Sequence, residues 1–322
     1  MSKLRICGFG SLACLLLAAA PALAGKPVPV SECDTFIYEP GKYFVTQDLF
    51  CGPDQQGITV YSSDVTVDLK GHTITCGPAV VELVGAVLVG KNTEPDFVLN
   101  NVRVKNGTVS NCSDGVIFFY TKSGKISKIT SHNSEGGITL IEAIDTVVRN
   151  NVGFNNFNAI RSFGGFNNEF KHNWSTGSFD AGLLVETGET GSRLVCNASE
   201  QDAYGIAVGP LSSGNVVRGN FVNAAGDTGI TLWGWKWDVW FWDYASDNVV
   251  TKNLVQASGR ADLAEVAYDL LADDLTVPEG AECENSWNMN QYSTWMGPEN
   301  CVAPPVVLDK DDVCALDDDN SD

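Results

Sequence analysis

Gly205-Ile206-Ala207-Val208, followed by Asn215-Val216-Val217-Arg218-Gly219-Asn220, is a pair of short alternating runs bounded by glycine and asparagine. Alternation over three to five residues between such punctuators marks a half-buried strand. The pair recurs along the chain. A small residue followed by an aliphatic one stands at Gly115-Val116, Gly137-Ile138, Ala159-Ile160, Gly182-Leu183, Gly205-Ile206 and Gly229-Ile230, at steps of 22 to 24 residues. An apolar residue three positions before an asparagine keeps the same beat at Val148…Asn151, Phe170…Asn173, Leu194…Asn197, Val217…Asn220 and Val250…Asn253. A coil of three short strands cannot bury its own apolar face. Stacking coils about 4.8 Å apart joins those faces into one core. The expectation is an all-β parallel β-helix with Ile138, Ile160, Leu183, Ile206 and Ile230 stacked inside. The recurring asparagine suits a sharp bend, since it tolerates left-handed φ and can bond to the asparagine of the next coil. A leucine-rich repeat would show a fixed Leu pattern, and a propeller blade needs about 40 residues.

Composition agrees. The 322 residues hold 20 Lys+Arg against 40 Asp+Glu, a net charge of −20, with only 19% charged residues and 32 glycines. That is too apolar for a disordered chain, too poor in charge for a coiled coil and too rich in glycine for a helical bundle. The acid excess argues against general nucleic-acid binding. Lys3 and Arg5, the apolar run Leu12–Ala20 and Ala22-Leu23-Ala24 before Gly25 read as a signal peptide over 1–24, hence a secreted or periplasmic protein. No later stretch is long and apolar enough to span a bilayer as a helix, and a monomer is expected. Cysteines beyond the leader suit disulfides. Cys33 with Cys51 would staple the N-terminal segment, Cys76 and Cys112 would meet across neighbouring coils, and Cys301 with Cys314 or Cys283 with Cys301 would tie the C-terminal segment; Cys196 has no local partner.

Cys33-Asp34, then Pro40-Gly41-Lys42-Tyr43-Phe44-Val45 through Cys51, Gly57-Ile58-Thr59-Val60, and Asp64-Val65-Thr66-Val67-Asp68-Leu69-Lys70-Gly71-His72-Thr73-Ile74 resemble the opening of secreted right-handed parallel β-helix repeat proteins of the pectate-lyase-like superfamily. Val102-Arg103-Val104-Lys105-Asn106-Gly107-Thr108-Val109 resembles their second coil, and the likeness covers roughly residues 33 to 256. It implies a right-handed solenoid of about eight to nine coils. It does not choose among polysaccharide lyases, glycoside hydrolases, epimerases, a periplasmic protein of copper-enzyme maturation and non-catalytic surface proteins.

Two segments break the beat. The coil starting at Gly229 carries about ten extra residues with Trp233, Trp235, Trp237, Trp240 and Trp242. Leu263, Val266, Ala267, Leu270 and Leu271 then fall on one helical face, predicting an amphipathic helix that plugs the open end of the solenoid. The expected organisation is an N-terminal cap over 25–57, the β-helix over 58–260, a helical and loop cap with a disulfide-tied tail over 261–308, and an Asp-rich disordered tail over 309–322.

In enzymes of the superfamily the groove runs along the first strand. Outward positions there are Ile117, Thr139, Arg161, Leu184, Ala207 and Thr231, of which Arg161 alone is charged. The turn before each coil supplies Asp114, Glu135, Asp180, Asp202 and Asp227. Carboxylates stacked about 5 Å apart repel unless a proton, cation or Arg intervenes. Two chemistries suit such a cluster. Asp180, Asp202 and Asp227 could hold Ca²⁺ and a uronate carboxylate, with Arg161 neutralising it or abstracting the proton beside it. Alternatively, two carboxylates such as Asp180 and Asp202 act as acid and base on a glycosidic bond. His172 is a further catalytic candidate, while His72 sits in a stretch shared across the family and reads as structural. The paired-Asp, Gly-His-Gly and Arg-x-Lys set of polygalacturonase-like hydrolases and the Asp-Pro-His-Glu of alginate epimerases are absent. Lys105, Lys128, Arg149, Lys171, Arg218 and Lys252 form a basic ladder near the second bend. Trp233, Trp235, Trp237 and Trp240 would stack on sugar rings, or instead fold over the end as a cap. These residues predict an exported polysaccharide-binding protein, lyase or hydrolase; the alternatives are a non-catalytic envelope protein and a periplasmic metal-enzyme maturation protein.

Overall fold

A computed structural model describes residues 25–322 except 54, 78–84, 91–96, 237–241, 270–273, 278–282, 284, 309–312 and 315–322. The predicted signal peptide over 1–24 and most of the acidic tail therefore lie outside the described residues. Each repeat supplies one strand to a first sheet and two shorter strands to a second and a third face. The coil Ala181–Glu186, Arg193–Val195, Ala198–Glu200 is typical. Each of its strands pairs in parallel with its counterpart in the next coil, Tyr204–Val208, Val216–Arg218 and Phe221–Asn223. The structure is a parallel β-helix.

The first sheet stacks ten parallel strands among the described residues, from Thr35–Ile37 to Ala261–Asp269. That exceeds the eight to nine expected because both presumed caps join the solenoid. Thr35–Ile37 pairs in register with Ile58–Val60, and Gly41–Val45 with Val65–Asp68. At the other end the described part of the predicted helix is a strand. Ala261–Asp269 is a strand that pairs with Thr228–Lys236 through eight registered residues. Thr228–Lys236 offers a row of open backbone groups, and pairing with it outweighs a weak helical preference. Leu263 is buried inside; Leu270 and Leu271 lie outside the described residues.

The repeat is explained by packing. Ile138, Ile160, Leu183, Ile206 and Ile230 align in register and are all buried. The residue before each must be small because the coils close tightly there. A Cβ on Gly205 would lie 2.4 Å from Val222 Cγ1 and 2.5 Å from the Gly229 carbonyl oxygen.

The asparagines form a buried ladder. Asn151 Nδ2 donates to Asn173 Oδ1 at 2.9 Å, Asn173 to Asn197 at 3.0 Å, Asn197 to Asn220 at 3.1 Å, Asn220 to Asn253 at 3.0 Å and Asn253 to Asn290 at 3.0 Å. The left-handed backbone falls one residue earlier, at Asn150, His172, Cys196, Gly219 and Lys252. The ladder residue is thus selected for its amide, which caps backbone groups of the inward bend, rather than for its φ. A second ladder, Asn215, Asn248 and Asn285, does the same at the preceding bend.

Among the described residues three disulfides are seen, Cys33–Cys51, Cys76–Cys112 and Cys283–Cys301. The last settles the C-terminal alternative against Cys301–Cys314. Val313 and Cys314, expected in a disordered tail, pack on the second bend instead: Val313 is buried, and Cys314 Sγ lies 3.2 Å from the Gly219 carbonyl oxygen.

Candidate functional site

The outward face of the first sheet carries a cleft of about 340 Å³ lined by Asp180, Leu184, Glu186, Tyr204, Trp233 and Trp235, among others. The register that buries Leu183 and Ile206 turns Ile117, Thr139, Arg161, Leu184, Ala207 and Thr231 outward in one column. Two residues on, the next outward column reads Phe119, Ile141, Phe163 and Glu186.

Glu186 is therefore the carboxylate that breaks an apolar column, and the sequence reading passed over it. Its signal was that contrast with Phe119, Ile141 and Phe163 at equivalent positions. Burial pushes its carboxyl up from 4.5 to about 7; the like charge of Asp180 adds to this, and Arg161 opposes it. Asp180 is also raised, mainly by burial, against a hydrogen bond from Asn158 and the charge of Arg161. Gly209 keeps the site open, since a Cβ there would meet Glu186 Cβ at 2.5 Å and stand 3.3 Å from Trp233 Nε1.

Arg161 is anchored at one end of the groove. Its Nη2 lies 3.0 Å from Asp114 Oδ1, its Nη1 3.5 Å from Glu135 Oε1, and its Nε donates to Thr139 Oγ1 at 3.0 Å. Thr139 also donates to Asp114. Burial raises the Asp114 carboxyl while Arg161 pulls it down. At the other end Tyr204 OH lies 3.5 Å from Asp227 Oδ2, and Asp227 Oδ1 pairs with Arg260 Nε at 3.0 Å. Burial, helped by Asp227 and Asp180, lifts the Tyr204 phenol to about 12.

The other predicted site residues are dispersed. Asp202 does not join Asp180. Its carboxylate turns inward, accepting from Ser175 and Ser199 hydroxyls at 2.6 Å each and from the Ser178 backbone N–H at 2.7 Å. Asp180 stands two residues before the small residue of its coil, Gly182, and Asp202 three before Gly205, so the two acids do not share a direction. No group of three or more His, Cys, Asp or Glu that could hold a metal ion occurs among the described residues, so Asp180, Asp202 and Asp227 are not brought together. His172 sits at the second bend, away from the first sheet, with φ of 55°. Trp233 and Trp235 are half-buried, with ring centroids 5.0 Å apart and planes at 68°. Trp237 and Trp240 lie outside the described residues.

The model of a family described as "Periplasmic copper-binding protein (NosD)" matches residues 51–264. None of the curated proteins searched matches the chain. Among solved structures, the tailspike protein of E. coli bacteriophage HK620, in complex with a pentasaccharide, is similar at 11% identity and a TM-score of 0.52. The match covers 83% of this chain and 58% of that one. The A-module of the Azotobacter vinelandii mannuronan C-5 epimerase AlgE4 shows 12% identity over 81% of each chain, with a TM-score of 0.46. At these identities the likeness concerns fold alone.

Copper favours imidazole and sulfur donors. The histidines stand apart: His72 pairs with Asp48 at 3.3 Å, His132 stacks on Phe154 with ring centroids 4.7 Å apart, and His172 lies at a third position of the repeat. Cys196 and Cys314 both lie at the Gly219 bend. No group of three or more His, Cys, Asp or Glu that could hold the metal occurs among the described residues, and no chemistry is derived through copper.

Proposed function

The chain belongs to the NosD family, and from that premise we propose an extracytoplasmic β-helix protein that binds a polysaccharide in the first-sheet cleft. The three disulfides and the periplasmic description of the family support the compartment. One observation carries the ligand class: two half-buried indoles share a cleft with two carboxyls raised above their usual range. Flat rings that bury one face and leave another reachable suit the C–H faces of a pyranose. A carboxyl held partly protonated near neutrality, as Glu186 is, suits its hydroxyl and glycosidic oxygens.

The reading extends to chemistry. Glu186, half-protonated near pH 7, is the proton donor to a glycosidic oxygen, and Asp180 is the second carboxylate of the pair. Hydrolysis is favoured over β-elimination because the Arg161 guanidinium is committed to Asp114 and Glu135 and is no base. The test is incubation with alginate, pectate, hyaluronan and neutral glycans, reading binding by tryptophan fluorescence, new reducing ends, and the ultraviolet absorbance of unsaturated products. Glu186→Gln should bind and not cleave. Binding without turnover by the unaltered protein would leave a non-catalytic envelope protein, and no binding to any glycan would end the proposal. The family description favours a second reading, a role in copper-enzyme maturation. A stoichiometric copper titration under reducing conditions, repeated on His132→Ala, checks it.

A further inference from the structure

On a different face from the cleft, the N-terminal coils carry a concave basic surface of about 510 Å³. It contrasts with a chain of net charge −20. Lys42, Thr66, Arg103 and Lys125 align in one register column, and Phe44, Asp68, Lys105, Ser127 and Arg149 in the next. The residues between them, Val67, Val104, Ile126 and Val148, are buried, so both columns face outward. Lys128 extends the surface at the turn, held at φ of 56°.

One acid lies in this lining, and it is already shared. Asp68 Oδ2 stands 3.3 Å from Lys105 Nζ and 3.7 Å from Lys70 Nζ. Lys42, Arg103, Lys128 and Arg149 have no carboxylate within ion-pair distance among the described residues. Arg149 Nε is also shielded from solvent with no hydrogen-bond partner there. A buried donor without an acceptor is destabilising, and unneutralised cations crowded in a cleft repel one another. A bound anion relieves both.

We propose that this surface is a second binding site, for a linear acidic polysaccharide lying along the solenoid axis. The coil spacing of about 4.8 Å sets the repeat of the cations, and it is close to the length of one pyranose unit in an extended chain. Each coil then meets one carboxylate or sulfate. Concavity favours a chain over a lipid surface, which needs a flat or convex patch. Single-stranded nucleic acid would need a run of aromatic platforms, whereas aromatic rings occur here only at Tyr43 and Phe44, at one end. The site uses other residues than the first-sheet cleft and stands whether or not that cleft binds sugar.

The test is fluorescence anisotropy of labelled oligogalacturonate and oligoalginate, with dextran, poly(U) and phosphatidylglycerol vesicles as comparators, at low and high salt. Arg103→Glu combined with Lys128→Glu should weaken uronate binding at least about tenfold at low salt, because each reversal turns attraction into repulsion. The exposed Lys42→Glu alone should weaken binding less and keep the melting temperature, which guards against a misfolded double variant. Uronate binding with no component that these reversals weaken, or no uronate binding by the unaltered protein, overturns the proposal. So does tighter binding of poly(U) or vesicles.

Discussion

Replacing Glu186 by Gln should flatten the pH dependence of stability. In the folded protein the carboxyl keeps its proton up to about pH 7, whereas in the unfolded chain it ionises near 4.5. Between those values the folded state holds more protons, so stability falls as pH rises through this window. The gap of about 2.5 pH units, at about 1.4 kcal/mol each, comes to about 3.5 kcal/mol, present as a penalty above about pH 7 and absent below about pH 4. Denaturant unfolding of the unaltered protein and of Glu186→Gln, followed from acid to mildly alkaline pH, gives the difference directly. The two should agree near pH 4, once a constant offset is removed. The variant should gain about 3.5 kcal/mol relative to the parent by pH 8. Asp180→Asn should shrink the effect, since it removes the like charge that helps hold the proton on Glu186. Parallel pH curves for parent and Glu186→Gln would refute the reasoning, and the proton-donor role with it.

Other outcomes are equally concrete. Asn197→Ala removes an amide that donates to the Phe170 carbonyl at 2.8 Å and to Asn220 and accepts from Asn173; it should cost about 3–5 kcal/mol in unfolding free energy, by orphaning several buried groups. A cost under about 1 kcal/mol would mean that water replaces the ladder. Trp233→Ala should weaken glycan binding about tenfold with a small drop in melting temperature; early unfolding with unchanged binding would make Trp233 part of a lid on the core. Asp202→Asn should lose about 1–2 kcal/mol with or without calcium, since its carboxylate serves serine hydroxyls. A calcium-dependent rise in melting temperature that this variant abolishes would restore a cation to the acidic turn.

The solenoid was legible from the chain because its cause is local and repeated. Every coil faces the same neighbours, so Gly205-Ile206 and Asn220 write the same packing demand at each period. Even the outward column from Ile117 to Thr231 followed from that alternation. The end coils were less legible. Ala261–Asp269 has a helical spacing of apolar residues, and only the open backbone edge of Thr228–Lys236 turns it into a strand. The acids divided in the same way. Asp180 stands two residues before Gly182 and Asp202 three before Gly205, and one lines the cleft while the other serves three internal donors. A shift of one residue within a turn redirects a side chain, so an approximate repeat spacing does not tell which acids share a face. Glu186 shows the same limit. Its contrast with Phe119, Ile141 and Phe163 marks its place in the repeat, but its proton affinity arises only where neighbouring coils and the Trp233 strand bury it and set Asp180 near it. Periodicity, a property of one strand and its copies, was written in the sequence; proton affinity, a property of everything packed around a group, came only with the tertiary structure.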